Sequence, residues 1–357
     1  MRIGIVGGIF GKPDAYRAQI TTTPETALAD ELERRGHEVV RLGHRAQLDL
    51  DGVDVMHVHH LSYGAVVAAS HPGRTPLAFT PHHLQYASPP RRSAARYVVR
   101  RADTVVALSQ TEARWQRGAY RIDGERQTVI PNGISEILFA YSPPRAPADG
   151  RWRLLYVGQL ARFKGVDHLL WALSELAESH AVRLDLVYQT GMEEDALRRL
   201  ASQLRLEVGF LGARSPKELS ELYAASHLVV LPSLHEALPS VISEAMMVGR
   251  PIVATDVGAI REQLGGFGEL VSPGDPQALA GGIRRVLDGY DEQVGQAASM
   301  SQLARRRFSI PAMVDAHERL YESLRRDAGS PRRHMSRLRL GTTLGRVCVG
   351  AAARFQA

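Results

Sequence analysis

The sequence predicts an α/β protein with two doubly wound domains that face a central cleft. Three observations indicate this fold: the chain has 357 residues, short apolar runs alternate with amphipathic segments along most of it, and one proline-rich segment interrupts the alternation. At roughly 100 to 200 residues per domain, the length favours two domains. Repeated strand–helix–strand units form parallel sheets that helices cover on both faces. Such sheets bind ligands beyond the carboxyl ends of their strands, so we expect ligand in the cleft.

The first half of the chain contains six predicted strands separated by helical patterns. These strands cover residues 2–6, 39–42, 55–58, 77–80, 104–108 and 129–130. The clearest helix is predicted over 24–35. Thr23 is suited to cap it, Pro24 fits the first helical position, and Gly36 ends it.

The alternation restarts after the proline-rich segment 142–150, which we interpret as an exposed linker. The strands predicted there cover 153–157, 184–188, 208–211, 228–231, 252–254 and 269–271. Helices are predicted over 167–178, 193–204, 216–225, 239–248 and 276–287, and a further amphipathic helix over 311–326. The expected domains are therefore 1–145 and 146–310, followed by a helix and a basic tail over 311–357.

Composition and charge exclude several classes of protein. With 44% hydrophobic and 23% charged residues, the chain is typical of globular proteins, not of disordered or fibrous ones. The single cysteine, Cys348, excludes an internal disulfide, so we expect a cytoplasmic protein. The sequence shows neither a secretion signal nor an apolar run of about 18 residues that would predict a spanning helix. The net charge of +6 fits an anionic partner or simply a basic surface.

The most informative motif contains two glutamates eight residues apart, Glu236 and Glu244. Between them, Leu238, Pro239 and Ser240 open a predicted helix, so one acid lies in the loop after a strand and the other about two turns into the helix. Backbone amides at a helix start bind phosphate, and carboxylates accept hydrogen bonds from sugar hydroxyls. The spacing alone would also fit solvated glutamates on an ordinary helix.

Taken whole, the segment from Glu236 to Thr255 resembles the Glu-x7-Glu signature of retaining glycosyltransferases with the GT-B fold, the group 1 or family 4 type. The resemblance spans most of the chain. It implies two Rossmann-like domains, of which the first binds the acceptor and the second binds the nucleotide-sugar donor. It further implies that Glu236 lies near the transferred sugar and that Glu244 binds the ribose. From the helix start itself, we expect the segment from Leu238 to Val241 to carry charge on the leaving phosphate through its backbone amides.

A second motif of this family lies at the start of the second half. The family pattern is Gly-Arg-Leu followed three residues on by Lys-Gly, and its two cations neutralise the leaving diphosphate. Lys164 matches the lysine, but Gln159 occupies the arginine position. Because the leaving diphosphate needs about two positive charges or a metal, Arg162 is the candidate for the second charge. The alternatives are that Arg162 only faces solvent and that Gln159 donates a hydrogen bond.

Histidines follow two predicted strands of the first half. A Thr-x-His sequence ends at His82 and matches the family's histidine that faces the donor sugar and phosphate, with His83 as the competing candidate. His57 and His59 share one strand face and His60 follows, a pattern that can bind zinc. No nearby acid or cysteine completes a metal shell, and the family does not depend on a metal. We therefore expect strand-end packing or acceptor contact, and neither a metal nor a cofactor.

Two further segments match the family. The glycine-rich turn after the first strand lacks the spacing of a P-loop. Glycine still lets the backbone approach a ligand closely. The resemblance places Gly8 of this turn near the donor diphosphate. Asn132 and Gly133 belong to a Pro-Asn-Gly sequence. We expect a turn with φ above zero at these two residues, and contact with the donor is the second interpretation.

The resemblance implies a hexosyltransferase-type glycosyltransferase that moves a sugar from a UDP- or GDP-linked donor to a hydroxyl acceptor in glycan, glycolipid or polysaccharide assembly. The alternatives with the same fold are a nucleotide-sugar epimerase, a phosphorylase and a sugar-phosphate synthase. A silent protein that binds sugar or nucleic acid would explain the basic charge, but it has no need for His82, Lys164 and both glutamates. No basic patch interleaved with aromatics supports nucleic acid.

Two basic segments raise the hypothesis of peripheral contact with the inner face of an anionic membrane. Arg92, Arg96 and Arg100 lie on one side of the predicted helical segment 91–101, and several arginines occur in the tail that begins at Ser330. The alternatives are the outer face of an ordinary helix and a solvated terminus. A site that docks on anionic lipid or a phosphate-bearing carrier would need these arginines.

Overall fold

The structure is a computed structural model that describes residues 1–13, 23–43, 52–70, 75–82 and 88–328. The chain divides into two compact units, one formed by Met1–Gly133 together with the chain from Ile310, the other by Ile134–Ser309. Within the described residues, each unit holds a sheet of six parallel strands. The His83 candidate and the basic tail from Ser330 lie outside the described residues.

The first unit follows the predicted alternation of strands and helices. Its strands are β1 (Arg2–Val6), β2 (Glu38–Leu42), β3 (Val55–His59), β4 (Leu77–Thr80), β5 (Thr104–Ala107) and β6 (Gln127–Val129), in the order β2-β1-β3-β4-β5-β6. Its helices before the unit boundary are α1 (Pro24–Arg34), α2 (Tyr63–Ser70), α3 (Pro89–Arg101) and α4 (Gln110–Tyr120). Val6 pairs with Val58, and His59 pairs with Thr80, so β1, β3 and β4 end at one edge of the sheet.

The second unit contains the remaining predicted strands. They are β7 (Arg151–Val157), β8 (Ala181–Val187), β9 (Val208–Gly212), β10 (Leu228–Leu231), β11 (Ile252–Thr255) and β12 (Glu269–Val271), in the order β12-β11-β10-β7-β8-β9. Its helices are α5 (Val166–Leu176), α6 (Glu194–Gln203), α7 (Pro216–Ala225), α8 (Ser240–Val248), α9 (Ile260–Leu264), α10 (Pro276–Asp288) and α11 (Tyr290–Phe308). Every residue of β10 is buried, as its apolar run predicts for a strand covered on both faces.

The unit boundary lies at Gly133–Ile134, earlier than the boundary expected at residues 145 and 146. The proline-rich segment packs on the second unit, where the amide of Ser142 donates to the carbonyl of Val248 at 3.0 Å. The guanidinium of Arg250, which is buried, donates to the carbonyl of Ser142. These contacts make the segment part of the second unit although its composition is typical of a linker.

The last described helix, α12 (Ile310–Asp327), belongs to the first unit, whereas the sequence placed it in a separate terminal segment. Its buried side chains Met313, Val314 and Tyr321 share a core cluster with Leu28 and Leu32 of α1. Burial of this apolar face is the main stabilising contribution of such a helix. The core of the first unit is therefore assembled from both ends of the described chain.

The expected positive φ at Asn132 and Gly133 is wrong, because neither residue has a left-handed backbone. Glycine is required at 133 for a different reason. A Cβ atom there would lie 2.8 Å from the Cα atom of Ile310, too close for any side chain. The amide of Gly133 lies 3.0 Å from the sulfur atom of Met313. A glycine at position 133 therefore lets the first residue of α12 approach the backbone closely.

Helix α3 has the amphipathic arrangement that its sequence predicts. Val98 and Val99 are buried, whereas Arg92, Arg96 and Arg100 are exposed. In the described parts of the chain, no helix is long and apolar enough to cross a membrane.

Candidate functional site

The loop after β10 places Glu236 at the carboxyl edge of the second sheet. Its Oε1 atom accepts hydrogen bonds from Lys164 Nζ at 2.6 Å and from Ser233 Oγ at 2.7 Å. The side chain of Lys164 is 17% exposed, and that of Glu236 is 9% exposed. The structure thus brings two of the predicted catalytic residues together as a largely buried ion pair, although 72 positions separate them in the sequence.

Two glycines with left-handed backbone fix the loops around this ion pair. A Cβ atom on Gly165, whose φ is 64°, would lie 2.2 Å from the carbonyl oxygen of Pro232. A Cβ atom on Gly258, whose φ is 58°, would lie 2.1 Å from the carbonyl oxygen of Glu236. Only glycine combines this backbone with this approach. The loops after β7, β10 and β11 are therefore in direct backbone contact.

Glu244 lies in α8 and contacts Tyr223 of α7, whose hydroxyl donates to Glu244 Oε2 at 2.7 Å. Burial raises the pKa of Glu244, and hydrogen bonds from Tyr223 and Ser240 oppose that shift. Tyr223 is fully buried, and burial together with the Glu244 carboxylate raises its pKa as well. Tyr223 therefore orients the second glutamate, a role that sequence reasoning missed.

The start of α8 offers free backbone donors. Within the described part of the chain, no side chain caps this helix, and its N-cap residue is Pro239. The first amides of a helix have no partner inside the helix and lie at the positive end of its dipole. Buried Gln263 holds the start in place, because its Nε2 atom donates to the carbonyl of Pro239 at 2.9 Å and to Ser243 Oγ at 2.7 Å. The amides of Ser240 and Val241 at this start are suited to an anion.

Arg162 and Gln159 lie in the loop that carries Lys164. Arg162 opens the short helical turn that ends at Lys164, its side chain is 90% exposed, and its Nε atom is 3.5 Å from Glu193 Oε1. Gln159 is exposed too, and its carbonyl accepts a hydrogen bond from Tyr156 at 2.7 Å. Burial and the charge of Glu236 raise the pKa of the Tyr156 hydroxyl. Tyr156 is a second member of this site that sequence reasoning missed.

In the first unit, five histidines form a histidine cluster: His57, His59, His60, His82 and His317. His57 is fully buried, with Nδ1 2.6 Å from the hydroxyl of Tyr321 and Nε2 2.8 Å from Thr80 Oγ1. The ring centroids of His57 and His59 are 4.3 Å apart, and those of His60 and His82 are also 4.3 Å apart. The cluster therefore extends from the sheet core to the predicted catalytic histidine, and α12 contributes to it.

The histidine cluster is largely uncharged at its buried end. Burial lowers the pKa of His57 well below its usual value, and nearby His317 and His82 act in the same direction. Among the described residues, no group of three or more His, Cys, Asp or Glu side chains is placed to hold a metal ion. His57 is thus a buried side chain of β3 with a hydroxyl partner on each ring nitrogen.

Gly8 begins a short helical turn, Gly8–Gly11, at the carboxyl end of β1. The preceding Gly7 donates its amide to the carbonyl of Leu42 at 3.0 Å. The candidate residues thus form two groups. Gly8 and His82 lie at the sheet edge of the first unit. The second unit contains the other candidates, Gln159, Arg162, Lys164, Glu236 and Glu244.

Comparison with known proteins gives two family matches. Residues 140–307 match the model of the family described as glycosyl transferases group 1, and residues 40–136 match that of glycosyltransferase family 4. A D-inositol 3-phosphate glycosyltransferase from Thermobispora bispora is 31% identical over 286 residues, covering 71% of this chain and 67% of the relative. The enzyme of the same name from Acidothermus cellulolyticus is 32% identical over 270 residues, covering 66% of this chain and 60% of the relative. The chain thus spans about 60% of the length of the first curated relatives that it matches.

Solved structures confirm the predicted fold class. The Anabaena protein HepE, solved in complex with UDP-glucose, superimposes with a TM-score of 0.68 at 24% sequence identity. The match covers 90% of this chain and 100% of HepE. Together with the two parallel sheets, this likeness identifies the fold as GT-B.

Acidification should destabilise the protein through His317. Its Nδ1 atom bonds to the carbonyl of Met313 at 2.9 Å, and its buried Nε2 atom has no hydrogen-bond partner among the described residues. Burial lowers the pKa of His317 from 6.5 to about 4. In that interval the unfolded chain binds a proton that the folded chain excludes, so stability falls as the pH falls, by about 3 kcal/mol in total at about 1.4 kcal/mol per pH unit.

The measurement is urea unfolding at several pH values between 6.5 and about 4. We expect His317→Gln to reduce the pH dependence of the unfolding free energy. His235→Gln, at an exposed histidine, serves as the control and should retain the wild-type dependence. An unchanged slope in His317→Gln would contradict the assignment.

Proposed function

Because the chain belongs to the glycosyl transferases group 1 family, we propose that it transfers a sugar from a nucleotide diphosphate donor to a hydroxyl acceptor, with retention of configuration. The observation that carries the proposal is the Lys164–Glu236 ion pair, held at 2.6 Å in the loops next to the start of α8. A buried cation and free helix amides bind a diphosphate, and a carboxylate binds sugar hydroxyls.

In the proposed reaction, Lys164 and the amides of Ser240 and Val241 bind the diphosphate of the donor. The ammonium group of a lysine has three donors, so Lys164 can contact a phosphate oxygen while it remains bonded to Glu236. Charge grows on the diphosphate as the sugar departs, and preorganised donors stabilise that charge without rearrangement. This assigns charge neutralisation to the protein and requires no metal.

The two glutamates have separate roles in this proposal. Glu236 contacts the transferred sugar. Its carboxylate is bonded to Lys164, which binds the adjoining diphosphate at the carboxyl edge of the sheet. Glu244 accepts hydrogen bonds from the ribose hydroxyls, and Tyr223 orients its carboxylate for that purpose. HepE was solved with UDP-glucose, which makes a UDP-linked hexose the first donor to test.

The first unit provides the acceptor site and His82 in this proposal. His82 follows Thr80 at the carboxyl end of β4, as the family's Thr-x-His pattern requires. Its ring lies against that of His60, with centroids 4.3 Å apart. We assign His82 to the reacting sugar and its phosphate, and Gly8 to the diphosphate.

The exposed face of α3 is proposed to contact an anionic membrane surface. Arg96 and Arg100 of this helix are exposed, whereas Val98 and Val99 are buried. Each basic residue near such a surface contributes about 1 kcal/mol, so attachment would be weak and sensitive to salt. A membrane-bound acceptor would then be within reach of a peripheral enzyme.

Nucleotide binding tests the donor site. UDP and UDP-glucose should stabilise the protein thermally, and Glu244→Ala should weaken UDP binding in calorimetry. A charge-assisted hydrogen bond contributes about 1.5 to 3 kcal/mol, so we expect a loss of about 10- to 150-fold in affinity. Glu221→Ala, at an exposed glutamate of α7, is the control and should bind normally. Unchanged affinity in Glu244→Ala would refute the ribose assignment, and absence of stabilisation by every UDP- and GDP-linked sugar would refute the function.

The second cation is tested with Arg162→Ala and Gln159→Ala. If Arg162 supplies the charge that Gln159 lacks, Arg162→Ala should lower turnover of the donor by about 10- to 100-fold, since one charge-assisted contact is lost from the transition state. Gln159→Ala, in the same loop, should have the smaller effect. A loss confined to Gln159→Ala would show that the glutamine, not the arginine, contacts the diphosphate.

Vesicle sedimentation tests the membrane contact. At low salt the protein should pellet with anionic vesicles and remain in solution with neutral ones, and high salt should release it. The double variant Arg96→Ala/Arg100→Ala should pellet less. Arg199→Ala/Arg306→Ala removes two exposed helix arginines from the second unit and should pellet like the wild type. Absence of the wild type from the anionic pellet at low salt would leave a soluble acceptor.

A further inference from the structure

Gln263 of α9 is a fully buried amide side chain in the second unit. Its neighbours Ile260 and Leu264 in the same short helix are buried and apolar. The Oε1 atom of Gln263 has no hydrogen-bond partner among the described residues. A buried acceptor without a partner is costly, and an apolar side chain of similar length would avoid that cost. The bonds made by the other polar atom of the side chain must therefore account for the amide.

That atom, Nε2, makes two hydrogen bonds, both to the beginning of α8. It donates to the carbonyl of Pro239, the N-cap residue, at 2.9 Å and to Ser243 Oγ at 2.7 Å. Because a carbonyl can only accept, the group that faces Pro239 must be the NH2 group of the amide. This bond therefore fixes the peptide group that joins Pro239 to Ser240, the first residue of α8.

The segment that leads into α9 also receives two carbonyl groups of the preceding loop. The amide of Ala259 donates to the carbonyl of Ala237 at 3.0 Å. The carbonyl oxygen of Glu236 lies against Gly258, where it would be 2.1 Å from a Cβ atom. These peptide bonds are trans, and in a trans peptide the N–H and C=O groups point in opposite directions. The amides that follow these carbonyls therefore point away from α9, and so does the amide of Ser240.

We propose that Gln263 is the positioning residue of the diphosphate site. Through the carbonyl of Pro239, it directs the amide of Ser240, and with it the first turn of α8, toward the phosphates of the donor. Donors stabilise a developing charge well only if their direction is fixed before the ligand arrives. This inference rests on the proposed function, in which the amides of Ser240 and Val241 bind the diphosphate. It adds that the effect of Gln263 is confined to the phosphates, since that proposal assigns the ribose to Glu244.

Calorimetry with uridine, UDP and inorganic pyrophosphate tests this role, because the three probes separate the nucleoside from the phosphates. Guanosine and GDP replace the uracil probes if the protein selects guanine. The variant is Gln263→Met, which keeps the length of the side chain and removes both donated hydrogen bonds. We expect it to bind UDP and pyrophosphate about tenfold more weakly than the wild type, the scale of one lost hydrogen bond, and uridine equally well. Unchanged UDP affinity, or an equal loss with uridine, would refute the positioning role.

Ser243→Ala is the matched control, because it removes the other acceptor of Gln263 Nε2 and leaves the bond to Pro239 in place. It should bind UDP and pyrophosphate like the wild type, and a loss as large as that of Gln263→Met would contradict the role of the Pro239 carbonyl. Glu244→Ala should show the reverse pattern, with weaker binding of uridine and unchanged binding of pyrophosphate.

Urea unfolding of each variant checks that it is folded. If Gln263→Met does not fold, Gln263→Glu replaces it in the same titrations. This variant keeps the size of the side chain, and its carboxylate cannot donate to the carbonyl of Pro239. The expected result and the refuting results are the same as for Gln263→Met.

Pyrophosphate separates this inference from the proposed function. A wild type that binds pyrophosphate more tightly than Gln263→Met does, but binds neither UDP nor GDP, would refute the donor assignment and leave the role of Gln263. A wild type that binds UDP, with no loss in Gln263→Met, would refute the role of Gln263 alone. A wild type that binds neither the nucleotides nor pyrophosphate would refute both.

Discussion

The ion pair between Lys164 and Glu236 is the interaction on which the site of the second unit depends. Two charges taken out of water lose hydration, and only good geometry with further hydrogen bonds recovers it. Here the geometry comes from backbone, because Gly165 and Gly258 let three loops touch without side chains between them. Ser233 adds a hydrogen bond to the carboxylate. The charged residues are thus set before any substrate arrives, which is the condition for electrostatic stabilisation of a transition state.

The two units use different chemistry at equivalent edges of their sheets. The second presents a lysine, exposed arginine and helix amides, all suited to negative charge. The first presents stacked imidazoles supported by the hydroxyls of Thr80 and Tyr321, with buried rings that resist protonation. In the proposed reaction, the second edge binds most of the charge of the donor diphosphate, and the first provides the acceptor site. The same strand–helix repeat therefore carries two different sets of side chains at its edge, because the loops at that edge differ.

Sequence predicted the strands and the charged candidates because both are local signals. Runs of four to eight apolar residues mark buried strands, and β10 is one of them. Helix α11 was missed because Gly295 and Ser301 interrupt its apolar pattern. Ser301 is nevertheless buried, and its hydroxyl is satisfied by a hydrogen bond that it donates to the carbonyl of Met247 at 2.6 Å. Tyr223 and Tyr156 were missed because no motif marks them, and their roles exist only once distant elements pack.

The place of α12 has a consequence for the order in which the chain assembles during synthesis. The second unit is one continuous segment, Ile134–Ser309, so all of its strands leave the ribosome before the first unit has received α12. Until then, the core of the first unit lacks Met313, Val314 and Tyr321, and their partners on α1 remain uncovered. Domains generally fold as units once their residues are present, so the second unit can fold before the first unit has all of its core. The half of the protein that is translated first is therefore completed last.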